Sequence, residues 1–263
     1  MSGLYKRDYN VLTEEEIKEK ESVDNEPART TGKFRHNFFY KYPKAVRHNM
    51  TMFPNNYMDT QLLGDEVLLK KQCDEFESML NNKGITELDI KRFIQSNEYY
   101  HIPASIFDKY NFGHHEAYLF KEFKLGTSFQ ADYVLVGKSS DGYQFVFVEF
   151  ENPYGRITVN TGDYGEAITK GIRQVEDWKI FIEANFSAIT EEFKKYTNKQ
   201  LTDEFYCLDT SRIFYCVIAG RRDDFNDKTY RLRRNDDTQR RIKLLHYDNL
   251  LDSARKKIGC NTY

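Results

Sequence analysis

The chain has 263 residues, enough to bury a sizeable core, and 40% of them are hydrophobic. With 20 Phe and 19 Tyr, the composition is globular rather than disordered, and aromatic rings should supply much of the buried area. Lys and Arg total 39 against 41 Asp and Glu, so the net charge of -2 excludes any general attraction to nucleic acid or anionic membrane.

The N-terminal third falls into pieces of different character. The segment LTEEEIKEKESVDNEPARTTGK reads as a short helix or a solvated arm, because few of its positions can bury anything. In the following KFRHNFFYKYPKAVRHNMTMF basic and aromatic residues interleave, which describes a half-buried strand or, alternatively, a nucleic-acid grip with bases stacked on Phe38, Phe39 or Tyr40. No signal-peptide core follows MSGLYKRDYN, and Cys73, Cys207, Cys216 and Cys260 show no CxxC spacing, so a reducing cytoplasm is the expected location. No stretch approaches the roughly 20 apolar residues that span a bilayer.

Leu69, Cys73, Phe76 and Leu80 recur at helical spacing and predict a helix of about four turns. Thr86 and Asp89 resemble a capping box before Ile90, Phe93 and Ile94, which predicts a second helix ending near Ser96-Asn97. A short helical piece follows Pro103, and EAYLFKEFKL (116–125) reads as a strand. In QADYVLVGKSSDGYQFVFVEFE two strand-like runs meet around Asp141-Gly142, a strong hairpin signal. Helical periodicity returns from Glu166 to Ala188 through Ile168, Ile172, Val175, Trp178 and Ile182. Residues 212–219 are apolar without alternation, as in a strand covered on both faces. Residues 242–247 form a last strand, with Asp248 placed to cap a closing helix through Leu250, Leu251 and Ala254. The order is mixed α/β without internal repeats.

The chemistry concentrates on the hairpin. A two-residue turn at Asp141-Gly142 pairs Ser140 with Tyr143 and sets Asp132 opposite Glu151, with Glu149 one diagonal step away on the same face. Three carboxylates so placed repel one another and call for a cation or raised pKa values, and a hard divalent ion with oxygen ligands answers that need. Exposed acids at a fraying hairpin end are the bland alternative, but Glu149 follows the doubly apolar run 145–148 and so emerges at the edge of a core. Gln174 lies on the following helix beside Ala167, Gly171 and Trp178, whose two small members permit a close approach to the sheet. Lys170, one turn earlier, can reach the same edge, although a solvated Gln and Lys fit the pattern equally well. Adjacent His114 and His115, followed by Glu116, do not read as a zinc site, since neighbours on a strand face opposite ways. Twelve Lys or Arg against seven Asp beyond Gly220 make the one sizeable basic excess, which fits a DNA-backbone track or equally a solvated face or oligomer contact.

Asp132, Glu149-Phe150-Glu151 and Gln174 together resemble the PD-(D/E)xK nuclease superfamily. The segments KEFKLGTSFQADYVLVG, VEFENP, GIRQVEDW, VIAGRRDD and IKLLHYDNLL are similar more closely to the Shedu family of bacterial anti-phage immune proteins, from about Gly64 to the C-terminus. That resemblance implies an α/β fold with a restriction-endonuclease-like core, a mixed central sheet flanked by helices. It further implies a DNA endonuclease or nickase acting with Mg²⁺, for which Mn²⁺ substitutes, on double-stranded phage or foreign DNA. A homo-oligomer is implied as well, with a nuclease domain over 64–263 and residues 1–63, which the resemblance leaves uncovered, as an N-terminal extension that controls access or contacts DNA or another copy. The resemblance implies Asp132 and Glu149 as metal ligands, to which the hairpin geometry adds Glu151; Glu122 or Glu116 on the preceding strand completes the shell or is a surface acid, with Glu122 nearer the family's segment before Leu-Gly, and Gln174 orients water or holds the nucleotide. Glu151 departs from the pattern, which usually has Lys there. Either it serves as an additional ligand or base, or Lys170 supplies the missing cation from the helix, or the protein keeps the fold and binds DNA or scaffolds a defence complex without cutting.

Overall fold

The computed structural model describes residues 4–26, 30–31, 34–35 and 39–263. In chain order the helices are α1 (Glu14–Asp24), α2 (Lys44–Met50), α3 (Glu66–Leu80), α4 (Glu87–Asn97), α5 (His101–Ala104), α6 (Glu166–Ala184), α7 (Phe186–Lys194), α8 (Asp227–Arg240) and α9 (Tyr247–Lys257). The strands are β1 (Thr30–Thr31), β2 (Phe34–Arg35), β3 (Glu116–Leu125), β4 (Phe129–Ser139), β5 (Gly142–Phe150), β6 (Ile213–Ile218) and β7 (Ile242–Leu245). β1 and β2 form a separate antiparallel pair. The other five make one mixed sheet in the order β3-β4-β5-β6-β7, antiparallel up to β5 and parallel beyond it.

Each face of this sheet carries its own core. On one face Leu69 and Phe76 of α3, Ile90 and Ile94 of α4 and Leu250 of α9 pack over Leu135, Val146, Val148 and Cys216. On the other, Ile168, Val175 and Trp178 of α6 and Ile189 and Phe193 of α7 cover Val134, Phe145, Phe147 and Tyr215. Burial on both sides is why β5 and β6 read as continuous apolar runs. The capping box at Thr86 forms as its spacing predicts, with Asp89 N donating to Thr86 Oγ1 and Thr86 N donating to Asp89.

Phe53, Tyr57, Met58 and Leu63 belong to these cores as well. Phe53 is fully buried among the rings of Tyr118, Phe120, Phe193 and Phe205. Met58 N donates to Ala117 O at 2.8 Å and Leu119 N to Asn56 O at 2.9 Å, so this segment satisfies part of the outer edge of β3.

Several local expectations are corrected. The basic-aromatic run is strand only at its start, where Phe34–Arg35 form β2: residues 39–41 form a 3₁₀ turn and Lys44–Met50 a helix, while Phe38 lies outside the described residues. Arg47 and His48 of α2 are buried, held by Asp59 and by Pro54 O, so these two basic groups serve packing. The helix from Glu166 stops at Ala184, and Asn185 joins it to α7. Asp248 does not cap α9; the His246 ring accepts from Asn249 N at 3.1 Å, and Asp248 pairs with Arg221 at 2.8 Å. His114 and His115 precede β3 rather than lying on it, and their rings sit 4.5 Å apart instead of facing opposite ways. The basic stretch beyond Gly220 contains α8, which lacks an apolar stripe because only Thr229 and Asp236 are buried in it. Much of its charge is spent internally, in Arg221–Asp248, Arg222–Asp252, Lys228–Asp163, Lys243–Asp237 and Lys256–Asp108 pairs.

Candidate functional site

The β4–β5 ladder pairs Ser139 with Gly142 and ends at Tyr133 with Val148. Continued one step, it sets Asp132 across from Glu149, not Glu151. The difference lies in the turn: Ser140 and Asp141 are its central residues, and Gly142, at φ +95°, already starts β5. A displacement of two residues preserves which face each side chain leaves, so the carboxylates still converge.

The strands are interrupted at the level of the site. β3 and β4 pair Lys121 with Tyr133 and Phe123 with Ala131, which leaves Glu122 and Asp132 facing each other without a ladder pair. Glu122 has φ +52°, a left-handed conformation rare for a Glu. Alternation breaks at the same level in both strands. Phe120 and Phe123 share the core under α6, as do Val134 and Ala131, although odd separations on a regular strand face opposite ways. Glu122, Asp132 and Glu149 thus form one row across three strands, at a point where the sheet is opened rather than closed by hydrogen bonds.

Above this row lies a cleft of about 530 Å³ whose walls include Glu87, Lys91 and Gln95 of α4, Glu122, Asp132 and Glu149 of the sheet, and Lys170 and Gln174 of α6. Asp132 accepts from Lys91 Nζ at 2.7 Å and from Phe150 N at 2.9 Å. Glu151 sits behind the cleft, its carboxylate accepting from Lys170 Nζ at 2.9 Å, with Glu87 3.8 Å from the same ammonium. The Glu151 backbone is fixed by its N–H to Ile218 O at 2.8 Å and by the Tyr247 hydroxyl donating to its carbonyl at 2.7 Å. Gly171 makes the approach of α6 possible, as its small size predicts: a Cβ there would stand 2.6 Å from Val217 Cγ1 and 3.0 Å from Glu151 Cγ.

Four carboxylates (Glu87, Asp132, Glu149, Glu151) here face two ammonium groups, with Glu149 and Glu151 buried while Lys170 stays half-exposed to the cleft. Glu149 is 5% exposed, and its Oε2 has no hydrogen-bond partner among the described residues; burial first, then Asp132 and Glu151, push its pKa up to about 9. Glu151, 1% exposed, keeps an Oε1 with no geometric hydrogen-bond partner among the described residues, and burial, helped by the neighbouring Glu87 carboxylate, lifts it to about 7 against the opposing pull of Lys170. Burial also raises Asp132, with Lys91 opposing. For both lysines burial works to lower the pKa, but the neighbouring carboxylates outweigh it and hold them charged.

The structure therefore brings Asp132, Glu149, Glu151, Lys170, Gln174 and Glu122 to one place. Glu122 stands at the rim, where Gln95 Nε2 donates to it at 3.3 Å. Lys91 and Glu87 escape sequence reasoning, because they come from a helix some forty residues upstream and carry no local signature. Among the described residues no three His, Cys, Asp or Glu side chains surround a single point as a finished metal cage. The donor set nonetheless suits a hard divalent cation: all-oxygen, acidic in excess, and with buried oxygens of Glu149 and Glu151 left without partners.

The profile of the family described as Shedu protein SduA, C-terminal, matches residues 84–251, well over half of the chain and the whole of the sheet with its flanking cleft. A search of curated proteins found no match. Among the described residues no helix is long and apolar enough to cross a membrane.

Proposed function

The chain belongs to the Shedu family, whose membership points to anti-phage defence, and from that premise we propose that it is a Mg²⁺-dependent DNA endonuclease or nickase with a PD-(D/E)xK-type core. The observation that carries the reading is the row of acids at the interrupted level of the sheet, with unpartnered buried oxygens on Glu149 and Glu151 beneath an open cleft. In this reading Asp132 and Glu149 hold the metal, and Glu122 and Glu151 are supporting donors. The bound cation supplies Lewis-acid polarisation of the scissile phosphate and lowers the pKa of a water. Lys170, on α6, takes the place of the ammonium that the family pattern puts at position 151, and Glu151 aligns it. Gln174 orients water or the nucleotide from the same helix. Lys91, which donates to Asp132, would neutralise part of the acidic charge of the site and lies on the cleft wall where a phosphate would enter. Double-stranded foreign DNA is the proposed substrate, the cytoplasm the proposed location and a homo-oligomer the proposed assembly.

One feature favours a second reading, binding without cleavage: both ammonium groups already neutralise site carboxylates. Incubation with supercoiled plasmid and Mg²⁺ or Mn²⁺ separates the two. Nicking that disappears in Asp132→Ala and Glu149→Ala supports the nuclease. Retarded but intact plasmid with both metals supports the binding reading, and nicking that survives both substitutions removes the site.

A further inference from the structure

A second groove, of about 600 Å³, continues from the carboxylate cleft along α6, and the two share Gln130, Lys170 and Gln174. Its size is that of a small-molecule site. Phe129 lines it, half-buried and set edge-to-face on Phe181 with centroids 5.8 Å apart, which fixes the ring. Trp178 lines it too, 0% exposed, and its indole Nε1 donor has no acceptor among the described residues. Buried donors without partners are rare enough to need a reason. Arg173 is exposed on the same helix and makes no ion pair among the described residues, unlike Lys170 one turn away.

This combination matches one nucleotide. An aromatic ring accepts any base face. The amides of Gln130 and Gln174 each offer donor and acceptor, as a base edge does. An unpaired guanidinium presents a fork to a phosphate. We propose that the groove takes a single nucleotide of the strand being cut, unstacked from its neighbours, with its base on Phe129 and an adjoining phosphate on Arg173. The proposal rests on the nuclease reading. A fully stacked duplex cannot bring a base face onto Phe129, so the strand is locally opened where it enters, and the cost of unstacking is met by the new contacts.

The chain's single Trp makes occupancy observable. The full chain, in EDTA, is titrated with a twelve-nucleotide single strand and with a blunt duplex of the same length, following Trp178 fluorescence and the salt dependence of affinity; plasmid nicking with Mg²⁺ is measured in parallel. The single strand should change Trp178 emission. Phe129→Ala should weaken its binding by between about 5-fold and 100-fold, with Phe129→Trp restoring affinity. Arg173→Ala should reduce the slope of log affinity against log salt by about 0.7 for the single strand. Urea midpoints equal to wild type confirm that the variants fold. Wild type that nicks plasmid while Phe129→Ala and Arg173→Ala keep full affinity and slope overturns the groove and leaves the nuclease reading standing. Deoxyadenosine monophosphate that displaces the oligonucleotide at equal concentration would assign the groove to a free nucleotide and overturn the proposal as well. Wild type that neither binds nor nicks removes the nuclease reading itself.

Discussion

Replacing Glu149 by Gln should stabilise the metal-free protein, and should do so increasingly as pH rises. The group is buried beside Asp132 and Glu151, and its pKa stands near 9 in the folded chain against an ordinary 4.5. Between those values the folded state keeps a proton that the unfolded state has released, so stability falls with rising pH, by at most about 1.4 kcal/mol for each pH unit. Below about pH 4.5 both states are protonated and the penalty is absent; above about pH 9 it is complete. At pH 7 the ceiling is about 3.4 kcal/mol, and sharing of the charge with Glu151 and the two lysines brings the expected value to about 2 kcal/mol. Gln has the same shape and no charge to bury, so it removes the pH-dependent part. Urea unfolding in EDTA at pH 5, 6, 7 and 8 should give nearly equal stabilities for the two proteins at pH 5 and a gap that widens steadily to pH 8. Saturating Mg²⁺ should then close the gap from the wild-type side, by about 2.7 kcal/mol at a hundredfold excess over the dissociation constant. Parallel stability curves, with a gap independent of pH, would show that Glu149 is ionised normally and would refute the reasoning.

Lys170→Ala should abolish nicking while leaving the fold intact, and the exchange Glu151→Lys with Lys170→Glu should recover part of it, since it moves the ammonium to the position of the family pattern; a doubly substituted protein no better than Lys170→Ala would count against the shared role. Gly171→Ala should destabilise by about 1–3 kcal/mol in urea unfolding despite the better helix former, because its Cβ meets Val217 and Glu151; an unchanged or higher midpoint would contradict the close approach of α6. Phe53→Ala should cost about 3–5 kcal/mol, four rings losing their common neighbour, and a loss below about 1 kcal/mol would show that the segment before residue 64 is not part of the core.

The parts of this fold that announce themselves do so through periodicity and caps. The stripe of Leu69, Phe76 and Leu80 and the pair Thr86 and Asp89 mark α3 and α4, and the doubly apolar runs mark β5 and β6 as inner strands. Helix α8 is silent because it is stabilised by pairs such as Lys228–Asp163 rather than by an apolar face. The acids of the site could be found on the hairpin, since Asp132, Glu149 and Glu151 lie close in sequence. Their register could not: Asp141-Gly142 reads as the centre of the turn, yet Gly142 is used as the first strand residue. Nor does a Glu signal positive φ, so the interruption at Glu122 has no trace in the sequence. Lys91 and Glu87 reach the cleft only because α4 folds back over the sheet end, a long-range fact that no local pattern carries.

The central claim is that the acids at this interruption hold a divalent cation. Anomalous diffraction from crystals soaked in Mn²⁺ tests it most directly. A peak at ligand distance, about 2.0–2.3 Å, from carboxylate oxygens of both Asp132 and Glu149, with Lys91 displaced from Asp132, is the expected result. A structure in which Lys91 still pairs with Asp132 and the manganese peaks lie elsewhere would contradict it.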